Sequence, residues 1–107
     1  MKKVKEFTIR KSRNCSDYLF TDDGSKCCAL GSFYKACGVP LSQLKGHGGL
    51  NSSKIENTLR SLYGEQIEDV MLNIPPINDN KKSSWERRIS KIRAEFKKIG
   101  VKVNLAE

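Results

Sequence analysis

Three of the four cysteines in the chain lie within Ser25 to Gly38, SKCCALGSFYKACG, and the fourth, Cys15, precedes them. A thiol can ligate a metal, exchange electrons or attack an electrophile, and spacing separates these chemistries. Structural zinc sites pair ligands two to four residues apart, so that one tight turn aims two side chains at one ion. No two of Cys15, Cys27, Cys28, Cys37 and the single histidine, His47, are so spaced. Adjacent Cys27 and Cys28 would also point about 100° apart on a helix. No metal site is expected. A redox pair is disfavoured too, because there is no Cys-x-x-Cys and a disulfide between neighbours strains the peptide joining them.

Nucleophilic chemistry has a firmer basis. Cys27 or Cys28 falls at the start of an expected helix beside Lys26, where free N–H groups and the helix dipole favour a thiolate. His47, in the glycine-rich loop KGHGGLNSS, could fold over that start and serve as base. Against this, no third group presents itself to orient the imidazole, and free cysteine is among the most buried residue types. The favoured reading is that the cysteines fill space, Cys37 sharing a helical stripe with Leu30, Phe33 and Tyr34. Cys27, Cys28 and His47 remain as candidates for a thiol-dependent enzyme.

The second chemical signal is charge. Twenty Lys and Arg against twelve Asp and Glu give a net +8, which favours nucleic acid, an anionic surface or an acidic protein as partner. The cations gather toward the chain ends, Arg10, Lys11 and Arg13 on one side and Lys82, Arg87, Arg88, Lys91 and Lys98 on the other. If the terminal strands pair, these become one basic face. No helix-turn-helix, zinc finger or RNA-recognition aromatic set accompanies them, so phosphate contact stands beside an acidic protein partner. Trp85 is expected to pack in the core, and Asn78-Asp79 to form the turn before the last helix.

The elements that must position these residues are legible from periodicity. Phe7 and Ile9 share a face of a strand over Val4–Ile9, and Tyr18-Leu19-Phe20 reads as a second strand before the Asp23-Gly24 turn. A helix runs between Cys27 and Cys37 and stops at Gly38. Ser52 or Ser53 caps another, Glu56 completing a capping box with Ser53, until Gly64. Ile67, Val70 and Met71 suit a helical turn, but Pro75-Pro76 should force extended chain after it. Ser83 or Ser84 caps the last helix, whose stripe is Trp85, Ile89, Ile92, Phe96 and Ile99, ended by Gly100. Val101, Val103 and Leu105 then alternate as a C-terminal strand.

These elements predict one α+β domain over residues 1–107: an antiparallel sheet of about three strands, terminal strands adjacent, packed against two to three helices. No apolar run approaches the roughly 18 residues of a membrane span, and the basic start MKKVKEFTIRK lacks the apolar block of a secretion signal. Membrane contact is not expected, and reducing conditions would keep the thiols free.

The order TIRKS, CCALG, ACGV, LNIPPINDN and KKIGVKVNLAE resembles a group of short uncharacterised proteins encoded by bacteriophages and bacterial genomes. Their corresponding stretches read as a Cys-Cys-Leu-Gly motif, an Asn-Asp pair before the last helix and a final Gly-Ile-x-Val strand. Here Ala29 interrupts the Cys-Cys-Leu-Gly motif, Asn14 and Cys15 replace a Trp-Leu pair, and Gly46 to Gln66 matches poorly. The resemblance implies a phage or prophage origin and action in the cytoplasm of a bacterial host, with no established activity; no cofactor is expected. The resulting expectation is a non-enzymatic accessory protein that binds a host or phage macromolecule, in a setting such as counter-defence. Direct nucleic-acid binding and thiol chemistry are the alternatives.

Overall fold

Phe7 and Ile9 are buried while Glu6, Thr8 and Arg10 are exposed, so β1 (Glu6–Arg10) lays one face on a core and leaves the other open. The computed structural model describes residues 1–107. A short 3-10 turn, Lys11–Arg13, follows β1. The chain then passes through α1 (Ala29–Ala36), a 3-10 turn at Leu41–Gln43, α2 (Ser53–Tyr63), α3 (Ile67–Asn78), α4 (Trp85–Lys97) and β2 (Lys102–Ala106). No helix is long and apolar enough to cross a membrane.

The sheet overturns the predicted antiparallel, roughly three-stranded arrangement. It has two strands, and β1 pairs with β2 in parallel, Phe7 opposite Val103 and Ile9 opposite Leu105. Anchors outside the sheet set this direction. The Lys2 N–H donates to the Cys37 carbonyl at 2.8 Å, and the Val4 N–H to the Tyr63 hydroxyl at 2.6 Å. They fix the start of β1 beside the point where Gly100, at φ +73°, turns the chain out of α4. The Lys102 N–H then donates to Lys5 at 2.9 Å, and both strands set out from the same end. A parallel pair requires a long crossover, and everything from α1 to α4 supplies it.

The expected strand at Tyr18–Phe20 does not form. Phe20 makes single bridges to Cys27 and Lys45, and the Leu19 main chain is divided between His47 and Cys28. Pro75 and Pro76 also fail to extend the chain, since both lie inside α3. Each lacks an N–H, which frees the carbonyls of Met71 and Leu72, and Leu72 is exposed, so water can satisfy them. Burial of Val70, Ile74 and Asn78 holds the helix through the prolines. There are thus four helices rather than two to three.

Capping is local and legible. Ser52 Oγ accepts from the Ile55 N–H at 3.3 Å and Ser84 Oγ from the Arg87 N–H at 3.2 Å, so Ser52 rather than Ser53 starts α2, without the Ser53–Glu56 box. The core lies between the inner sheet face, α1 and α4. There Phe33 and Phe7 stand 5.0 Å and 4.8 Å from the Phe96 ring, and Tyr63 closes the group 5.4 Å from Phe33. Gly31 lets α1 settle on the preceding loop: a Cβ there would lie 1.9 Å from the Leu19 carbonyl oxygen.

Candidate binding surface

The cysteines occupy four different environments. Cys28 is the N-cap of α1, its Sγ accepting from the Gly31 N–H at 3.4 Å. It is buried, and that burial pushes its thiol up to about 12, against the thiolate the helix start would favour. Cys37 is fully enclosed, its Sγ 3.4 Å from the Tyr63 hydroxyl, and burial raises its thiol as well. Half-buried Cys27 lies 3.1 Å from the Ser32 hydroxyl. Half-buried Cys15 donates to the Tyr18 carbonyl at 3.5 Å, and burial raises its thiol too. His47 is not brought to any of them: its Nδ1 is 3.1 Å from Asn51 Nδ2, and its carbonyl accepts from Leu19. No cluster of three His, Cys, Asp or Glu is arranged to hold a metal ion.

Asn78 has a role that sequence reading missed. It is buried at the end of α3, where its Oδ1 accepts from Asn14 Nδ2 at 2.9 Å and from the Ala29 N–H at 3.1 Å. Its Nδ2 donates to the Cys15 carbonyl at 2.9 Å and to Asp79 Oδ1 at 2.7 Å. Asp79 Oδ2 in turn accepts from the N–H of Asp17, the one non-glycine residue with positive φ, at +72°. The Asn-Asp pair therefore ties the Asn14–Asp17 loop and the start of α1 to α3, beyond the turn expected of it.

The basic residues do not form one continuous face but line separate concavities. Lys11, Lys26, Lys81 and Arg88 surround a cleft of about 440 Å³ with Trp85, Cys15 and Asp17. Arg10, Arg13 and Lys35 line a groove of about 370 Å³ between β1 and α1, whose floor includes Phe20, Cys27, Ser32 and Ala36. Lys5, Arg93, Lys97 and Lys102 line a third, of about 410 Å³, beside β2. Asp17 is the only acid among the three linings. Lys26 and Lys35 were missed because they sit in the chain's middle, away from the basic ends.

Other expected contacts are placed differently. Exposed Lys82, Arg87 and Lys91 belong to none of these concavities. Lys98 is engaged with Glu95 at 2.6 Å, and this bond holds the Glu95 carboxyl below its usual range. Arg88 is an anchor: its Nη1 donates to the Asn78 carbonyl at 2.8 Å and its guanidinium lies 5.4 Å from the Trp85 ring. Trp85 is half-buried: it packs against the core and also lines the cleft wall. Comparison of the chain with protein-family models, with curated proteins and with solved structures gives no match.

Proposed function

We propose that this chain is a small basic accessory protein, of phage or prophage derivation, that acts without catalysis by binding an acidic host or phage macromolecule through its cation-lined concavities. The observation that carries the reading is that the positive charge is left uncompensated. Arg60 with Glu68 and Lys98 with Glu95 are the only ion pairs, yet the chain carries twenty Lys and Arg. Eleven of these cations line the three recesses, where low-dielectric walls focus their field and speed capture of a polyanion. The thiol alternative draws no support from the geometry, since His47 is hydrogen-bonded to neither Cys27 nor Cys28 but lies against Asn51.

Direct nucleic-acid binding is the second reading, favoured by one observation: the cleft of Lys11, Lys26 and Lys81 carries an indole, Trp85, against which a base could stack. Capture from bacterial lysate separates the two. Wild-type protein should retain a partner at low salt, and K11E/K26E/K81E, which spares the anchoring Arg88, should release it. A partner that survives nuclease treatment supports an acidic protein, and one lost with nuclease supports nucleic acid. Equal retention by wild type, this triple variant and R13E/K35E of the β1–α1 groove would overturn the basic-surface reading.

A further inference from the structure

The groove between β1 and α1 runs along an unpaired strand edge. In the parallel ladder the Lys102 N–H donates to Lys5, so the register turns the main chains of Lys102, Asn104 and Ala106 toward β1 and those of Phe7 and Ile9 toward β2. Thr8 therefore points its N–H and C=O away from the sheet, and no hydrogen bond elsewhere in the chain takes them up. Thr8 is exposed and lines the groove together with Arg10. The opposite edge is different: on β2, Arg93 Nε donates to the outward Val103 carbonyl at 3.2 Å and covers it. The outward main chain of β1, centred on Thr8, thus presents a short open template, with neither a proline nor a lysine in Glu6–Arg10 to guard it.

We infer that the edge of β1 receives an extended acidic segment of the partner protein, which adds as a third strand. The occupant follows from the lining. Arg10, Arg13 and Lys35 supply positive charge along the groove with no acid among its residues, while Phe20, Ala36 and Cys27 give it a small apolar floor. A strand entering there meets main-chain donors and acceptors at Thr8. Its alternate side chains face two ways, toward the floor, where Lys35 Nζ stands 5.7 Å from the Phe20 ring, and toward the exposed face of β1 that carries Arg10. Alternating small apolar and acidic residues match both. Nucleic acid has no main chain to complete the ladder. This inference rests on the proposed basic-surface function and specifies which recess and which backbone groups serve it.

The probe is an eight-residue peptide alternating Glu and Val, added to the full-length protein at low salt. Amide resonances of Thr8 and Arg10 should shift and their hydrogen exchange should slow, and bound peptide should protect Cys27 from alkylation. Binding should weaken at least tenfold with R13E/K35E. It should also be lost with Thr8→Pro, which removes an N–H the β1–β2 ladder does not use, provided circular dichroism shows the variant folded. The same peptide N-methylated at alternate residues, which tests the backbone without altering the protein, should not bind. Undiminished binding of the N-methylated peptide, or no binding of the unmodified one, would overturn strand addition. Capture from lysate that is lost in K11E/K26E/K81E but unchanged in Thr8→Pro would leave the broader reading standing and overturn this one. Equal capture by wild type, K11E/K26E/K81E, R13E/K35E and Thr8→Pro would overturn the broader reading itself.

Discussion

Asn78 shows how one side chain can hold three segments together. Replacing it with Ala strands the Asn14 amide, the Ala29 N–H and the Cys15 carbonyl, each in a buried or half-buried setting. The expected loss is about 3 kcal/mol in urea denaturation, because unsatisfied buried groups cost about 1–3 kcal/mol each and local relaxation recovers part of that. A loss below about 1 kcal/mol would show that water replaces the clamp. The thiols give a second test at this scale. In native protein, half-buried Cys15 and Cys27 should react with a thiol reagent well before buried Cys28 and Cys37, which should wait for unfolding. Rapid native modification of Cys28 would contradict its burial. The sequence made the apolar character of Cys37 legible through its stripe. It could not reveal Asn78, because a polar residue beside two prolines looks like a turn until the tertiary partners of its amide are known.

Among the elements, α1 depends on a glycine where helix propensity alone would prefer alanine by about 1 kcal/mol. The 1.9 Å approach of a Cβ at position 31 to the Leu19 carbonyl decides the sign, since the obstacle is backbone that also accepts from Cys28. Gly31→Ala should therefore destabilise by about 2 kcal/mol or more, read as a lower thermal midpoint. A higher midpoint would mean that the loop yields. Helix α4 was legible in its cap, stripe and glycine stop because all three are local signals. Helix α3 was misread because the local penalty of Pro75-Pro76 is plain, whereas the burial of Ile74 and Asn78 that outweighs it belongs to the tertiary structure. Strand direction was illegible for a similar reason: alternation in β1 and β2 marks faces, but the anchors from Lys2 and Val4 to Cys37 and Tyr63 join residues far apart in sequence.

For the molecule as a whole, buried acidic protons set an alkaline limit. Cys28 ionises near its ordinary 9.0 in the unfolded chain but only at about 12 when folded, so its contribution is intact below pH 9 and is lost as pH rises from 9 to 12. Each unit within that window costs about 1.4 kcal/mol. Burial also raises Tyr34 and Tyr63, which extends the decline in the same direction above their ordinary 10.0. The urea midpoint should fall between pH 8 and pH 11, and Cys28→Ala should flatten the first part of that fall. A midpoint independent of pH over this range would contradict the burial of these groups. The parallel pairing of the terminal strands has a mechanical consequence. The leading end of β1 and the trailing end of β2 lie at opposite ends of the ladder, so tension applied through the two termini loads its hydrogen bonds in shear and they must yield together. Antiparallel strands would have peeled apart one bond at a time. A molecular machine that grips both ends of this chain therefore meets this resistance as soon as the Lys2 and Val4 anchors give way.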